Sequence, residues 1–303
     1  MNFIGNIMYD SIYHATPILL CVLGGIFAYK ANVLNIALEG MMLTGAFTSL
    51  LISYFTGSIV LGYLGAIIIC ILVGILFSIM TVTYKGNVIV VGLAINMLVP
   101  AIAGFVLQFM KSPNITLQWK NIADFKIMIP LIHDIPIIGK IVSGHTPITY
   151  AAFVGIFLIW VLMYKTKFGI YVRVVGENED AARNLGLNTN KYRYLAIMLG
   201  AFCCSLAGIN LALERMALFT NNMTAGRGFI AIAAIYCGQG DPVSSALYAI
   251  VFGVARALAV NMGLYAGPAA ALFDVIPYVV MGIVLTMVSV LKYRNNKLRG
   301  IIK

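Results

Sequence analysis

Chemistry in this chain would have to reside in the few polar side chains set within long apolar runs. These are Glu39 in 32-NVLNIALEG-40, Asn96 in 91-VGLAINMLVP-100, Arg256 in 251-VFGVARAL-258 and Asp274 at the head of the last run. Ionisable groups at membrane depth are costly, so they are usually paired or functional. Two roles are open to Glu39. It can be a structural cap, since the macrodipole and the unpaired N–H groups of a first helical turn favour a carboxylate, or it can line a solute path. Asn96 can bond a neighbouring helix or touch a solute. Arg256 should pair with a carboxylate rather than snorkel, although the sequence names no partner. Proton-driven carriers tend to string several carboxylates through the membrane centre; here Glu39 is the only serious candidate, which weakens that reading.

Familiar catalytic signatures are missing. The pair Gly139–Lys140 is followed by Ile141 and lacks the upstream glycine of a phosphate-binding loop, and neither G-x-S-x-G nor H-E-x-x-H occurs. His14, His133 and His145 are scattered, and Cys21, Cys70, Cys203, Cys204 and Cys237 lie inside apolar runs without metal or disulfide spacing. The cysteines read as lipid-facing or packing residues.

The elements that hold these residues are membrane spans. With 303 residues, 61% of them hydrophobic and only 10% charged, and a mean hydropathy of +0.97, the chain is too apolar for a soluble domain. It reads as one all-α polytopic transmembrane domain over 1–303. No lysine or arginine precedes the first apolar run, which is therefore a span and not a cleaved signal. About nine crossings are expected, at 12–29, 36–56, 62–83, 88–110, 148–164, 194–213, 228–240, 243–262 and 271–291. The seventh is short and bounded by glycines, so it should be tilted, broken or re-entrant. Lys30, Lys85, the 165–193 loop and the tail from Lys292 hold most of the 20 basic residues. The positive-inside bias makes that side cytoplasmic and the N-terminus external. The tail and the large basic loop share a side only if the seventh segment crosses. The segment 111–147, with 130-PLIHDIPIIGK-140, is then extracytoplasmic, either a surface-lying lid or a plain connection. Small residues at Gly200, Ala201, Ser205 and Gly208 mark the sixth span as a tightly packed interior helix.

One stretch is out of character, 177-ENEDAARNLGLNTNKYR-193. Asn178 is a good N-cap, Glu179 and Asp180 put negative charge in the first turn, and Gly186 suits a left-handed stop. A helix over 179–185 results, with Asn188 or Thr189 capping the next span. Two turns are not stable alone. Ala181, Ala182 and Leu185, flanked by Arg183, offer a small apolar patch on which such a helix could dock.

In order along the chain, 32-NVLNIALEGMMLTGAF-47, 169-GIYVRVVGENEDAARNLGLNTNKYRYLAI-197 and 226-GRGFIAIAAIYCGQGDP-242 resemble the permease subunits of bacterial ABC importers of the ribose, branched-chain amino acid and nucleoside superfamily. The first and third are most like nucleoside permeases that work with basic-membrane-protein lipoproteins. The resemblance implies a transport subunit, not an enzyme, in the bacterial cytoplasmic membrane. It implies a separate double-domain ABC ATPase that binds ATP and magnesium, a second paralogous permease, and a lipid-anchored binding protein that delivers a nucleoside. No cofactor would be bound by this chain. Glu179, Asp180, Ala181, Ala182, Arg183, Leu185 and Gly186 would form the ATPase coupling element, and Asn35, Glu39 and Asn96 would line the path. Arg256 departs from the family's usual wording, which has a small or acidic residue there. A ribose or other sugar permease, or a proton-coupled secondary transporter, is the alternative.

Overall fold

Inside lipid a backbone must satisfy its own N–H and C=O groups, which favours helices, and the computed structural model of this chain is helical almost throughout. It describes residues 2–118, 125–127, 143–265 and 270–298. The 130–140 stretch and His133 lie outside the described residues. Helices α1 (Asn2–Lys30), α2 (Leu38–Thr56), α3 (Ile59–Ser78, prolonged by a π turn at Ile79–Thr83) and α4 (Val88–Phe109) precede strand β1 (Asn114–Thr116). After the undescribed residues come α5 (Pro147–Lys165), α6 (Lys167–Glu177), α7 (Glu179–Asn184) and α8 (Thr189–Ile209, with a π turn at Asn210–Glu214). Strand β2 (Leu218–Thr220), α9 (Arg227–Cys237), α10 (Pro242–Tyr265), α11 (Ala270–Phe273) and α12 (Ile276–Leu298) complete the described chain.

Eight of these helices, namely α1 to α5, α8, α10 and α12, are long and apolar enough to cross a membrane. Helices α1, α2 and α8 form the interior, whereas α3, α4, α5 and α12 expose most of their residues. Val60, Leu64, Ile68 and Leu72 recur every fourth residue along the exposed side of α3, the pattern of a lipid-facing helix. The interior trio packs through small residues. A Cβ on Gly24 would stand 2.8 Å from the Gly200 carbonyl, one on Gly45 would stand 2.8 Å from Ser205, and Gly208 abuts the Met42 carbonyl. Close backbone approach of this kind fastens α8 between α1 and α2. All five cysteines are free and buried, and Cys70 donates to the carbonyls of Met41 and Ala201.

The two ends of the bundle are distinct. At one end β1 and β2 pair antiparallel, Asn210 donates to the Thr146 hydroxyl, and Asn261 donates to Asp10. At the other, Lys30 donates to the Gln239 carbonyl at 3.0 Å and Tyr164 donates to Asp241 at 3.1 Å. Helix α9 has eleven residues, about 16 Å of rise, and cannot span alone. The chain nevertheless enters at β2 on the ribbon end and leaves at Asp241 on the Lys30 end. Residues 221–226, which are not α-helical, supply the rest of the depth. The expected seventh crossing is thus discontinuous, half non-helical and half helical.

Two helix starts meet at its midpoint. Residues 31–37 turn inward from the end of α1, with Asn32 at φ +57, and the Leu38 and Ile235 side chains meet at Gly25. The carboxylate of Glu39, in the first turn of α2, accepts from the Gly226 N–H at 2.8 Å and from the Gly228 N–H at 2.5 Å. Glu39 therefore sits at the positive ends of α2 and α9 together. Gly228 must be glycine for the approach, because a Cβ there would stand 2.5 Å from the Glu39 Cα. Asn96 completes the joint, accepting from the Gly40 N–H at 2.7 Å and donating to the Ile36 carbonyl at 2.9 Å.

Glu39→Ala should leave two buried N–H groups without an acceptor, at about 1–3 kcal/mol each. Gly228→Ala should force the same joint apart. Both should lower the melting temperature of the detergent-purified chain well below that of Gly282→Ala, whose added methyl meets nothing within 4 Å. Equal melting of all three variants would refute the joint.

Candidate functional site

The out-of-character stretch folds on the Lys30 end. Helix α6, which the sequence did not announce, starts with the Thr166 hydroxyl accepting from the Gly169 N–H. It buries Val172 and Val175, and Gly176 presses on the Lys30 carbonyl at the end of α1. Asn178 ends α6 and caps α7, its side chain accepting from the Ala181 N–H at 3.0 Å. Gly186, at φ +78, closes α7. The Leu187 N–H returns to the Ala182 carbonyl and the Gly186 N–H to that of Arg183, which is the Schellman arrangement. Asn188, not Thr189, caps α8 through the Lys191 N–H. The helix ends at Asn184, one residue short of expectation.

Glu179 pins α7 to its surroundings, pairing with Arg183 at 2.5 Å and with Arg193 of α8 at 2.9 Å. Partial burial works against its charge, but the Arg193 and then the Arg183 guanidinium hold its carboxyl below the usual range. Asp180, Ala181, Arg183, Leu185 and Gly186 are exposed. The expected docking patch needs one correction: Ala182 is fully buried. Residues four apart share a helix face and adjacent ones do not, so Ala181 and Leu185 point outward together while Ala182 turns into the bundle. Leu185, 74% exposed, is the apolar tip.

Each residue expected to line the path has a structural partner. Glu39 and Asn96 build the joint described above, and Asn35, 4% exposed, accepts from the Ala37 N–H to shape the turn into α2. None of the three lines either of the main polar cavities. One of these, about 250 Å³ at the ribbon end, is bordered by Tyr13, His14, His145, Glu214 and Arg215. The other, about 480 Å³ at the Lys30 end, is bordered by Tyr29, Lys30, Tyr164, Arg173, Glu177 and Tyr236. Among the described residues no cluster of His, Cys, Asp and Glu could hold a metal ion.

Arg256 does pair, and its partner is Asp274 at 3.2 Å. Arg215 and Arg227, which fall just outside the crossings expected at 194–213 and 228–240, are buried. Arg227 donates to the carbonyls of Met223 and Thr224 and so orders the non-helical half-crossing. The Arg215 guanidinium lies 3.7 Å from the Tyr13 ring centre, a cation–π stack. No local signal marks either arginine as internal, since each simply follows or precedes an apolar run.

Comparison with known proteins agrees with this architecture. The family described as branched-chain amino acid transport system / permease component matches residues 7–285. The nucleoside ABC transporter permease protein NupC of Lactococcus lactis is 32% identical, over 95% of this chain and 93% of its own. The guanosine ABC transporter permease protein NupQ of Bacillus subtilis is 32% identical, over 82% and 80%. A putative glucose ABC transporter permease protein of Haloferax volcanii, TsgC13, is 28% identical, over 85% and 78%. No solved structure matches. With the family matched over nearly its whole length, and with relatives of like extent, the chain belongs to the branched-chain amino acid transport system / permease component family.

Proposed function

We propose that this permease component serves an ATP-driven nucleoside importer of a bacterial cytoplasmic membrane, supplying half of the path beside a second, paralogous permease. The observation that carries the coupling is α7. A helix of six residues does not persist unaided, and this one is capped at both ends, ion-paired at Glu179 and left with Ala181 and Leu185 bare. Such a protrusion suits a groove on a separate double-domain ATPase, which would carry the ATP and magnesium. The Lys30 end gathers Lys30, Lys85 and the basic residues of α6 to α8, which makes it cytoplasmic by charge bias. A lipid-anchored binding protein would deliver solute to the ribbon end. Asn35, Glu39 and Asn96 would then brace the broken helices beside the path and not touch the solute.

The nucleoside class rests on the names of NupC and NupQ, and the relative named for glucose keeps a sugar as the second reading. A proton-coupled carrier has less support, because both Glu39 oxygens accept backbone N–H groups and so give the carboxylate a structural task.

Leu185→Asp should insert normally yet lose co-purification with the ATPase. Nucleoside uptake should fall at least about tenfold, since an unpaired carboxylate in a closed groove costs more than the 1.4 kcal/mol that a factor of ten represents. Ala182→Asp should instead reduce the yield of folded protein, because the charge enters the bundle. Normal uptake by well-expressed Leu185→Asp would refute the docking role. Uptake should also stop with vanadate and survive an uncoupler while ATP is maintained; the reverse pattern would return Glu39 to consideration as a proton site.

A further inference from the structure

The cavity at the Lys30 end has a composition that support of the fold does not require. Its volume of about 480 Å³ falls within the range of small-molecule sites. Tyr29 of α1 and Tyr236 of α9 meet edge to face with ring centres 5.3 Å apart, and Tyr236 is 44% exposed. In the same lining the Arg173 guanidinium lies 4.9 Å from the Tyr164 ring centre, its buried Nε without a hydrogen-bond partner. Lys30 borders the same space, one of its protons held by the Gln239 carbonyl. Glu177 stands at the margin, and Asp241, which interacts electrostatically with Lys30, is committed to Tyr164 and Ser244.

Tyrosine rings beside two cations suit a ligand with one aromatic ring system and one compact anion. Bases stack on aromatic faces, and a phosphate takes charge-assisted bonds from arginine and lysine. The two nearby carboxylates disfavour a polyphosphate. We propose that this cavity binds a nucleoside monophosphate, with the base against Tyr29 and Tyr236 and the phosphate between Arg173 and Lys30, and that the occupied site restrains import.

The restraint follows from connectivity. Arg173, Gly176 and Glu177 belong to α6, which passes through Asn178 directly into α7. Tyr236 belongs to α9, the helical half of the broken crossing, whose far end is joined to Glu39. A ligand touching both walls would tie the coupling helix to that crossing. A ligand that favours one state shifts the population toward it, so import would slow as the phosphorylated form of the imported solute accumulates. This regulation rests on the nucleoside-importer reading and on the Lys30 end being cytoplasmic.

Two measurements test it separately. In the first, radiolabelled GMP and AMP are titrated onto the full chain in nanodiscs without the ATPase. Saturable binding is expected, weakened at least about tenfold in Arg173→Gln, a loss of at least about 1.4 kcal/mol, and similarly in Tyr236→Ala. Guanosine and inorganic phosphate alone should bind far more weakly than GMP. Absence of mononucleotide binding at millimolar concentration, equal binding of phosphate alone, or indifference to both substitutions would each overturn the site. In the second, right-side-out vesicles holding the complete importer are loaded with GMP before nucleoside uptake is measured. Uptake should fall several-fold in the wild type and stay unchanged in Arg173→Gln. Undiminished wild-type uptake would overturn the regulation while leaving the importer standing. Vesicles that take up no nucleoside at all, loaded or not, would remove the importer reading and with it the regulation, while the binding titration still decides the site.

Discussion

The whole bundle turns on one carboxylate at two helix starts. A helix beginning in the interior of a membrane protein exposes N–H groups that water cannot reach, and each is expensive to leave unpaired. This chain begins two helices at the same depth, α2 after an inward turn and α9 after a non-helical descent. Glu39 answers both, lying in the first turn of α2 and accepting the N–H groups of Gly226 and Gly228. Asn96 closes the remaining polar groups of the turn. Packing by small residues around Gly24, Gly45 and Gly208 then fastens α8 to α1 and α2.

This arrangement has an electrostatic consequence for transport. The inward-pointing positive end of a half-helix is a ready anion site, and here it is filled by the chain's own carboxylate. A path beside the Glu39 joint is thereby offered no free positive helix end. Among the other cations, Arg256 pairs with Asp274, Arg227 donates to backbone carbonyls and Arg215 stacks on the Tyr13 ring.

What was legible in the sequence was local. The caps of α7 at Asn178 and Gly186 could be read because their partners lie within a few residues, and the small-residue face of α8 because its spacing is helical. The position of the break in the seventh crossing was visible in its glycines. Long-range pairing was not. Glu39 reads equally as a cap or a lining residue until Gly226 and Gly228, far along the chain, are brought to it, and the partner of Arg256 emerges only when α10 and α12 lie side by side. The orientation of α7 was hidden for a different reason: Ala181 and Ala182 are chemically identical, and only the direction in which α6 delivers the chain decides which one faces outward. Helix α6 escaped notice because its apolar face, Val172 and Val175, is short and lies within a basic stretch.

The discontinuous crossing also divides the labour of variation. A substitution in a helix must respect propensity and the packing of a whole turn, whereas residues 221–226 carry no such ladder. Asn221 and Asn222 are exposed there, between a ribbon that fixes one end and the Glu39 joint that fixes the other. The side chain at Asn221 can change in size and polarity without loosening a helix, whereas Asn222, at φ +59, is held to residues that tolerate left-handed backbone. The scaffold thereby keeps a short stretch of its membrane interior open to retuning while the machinery on either side stays constant.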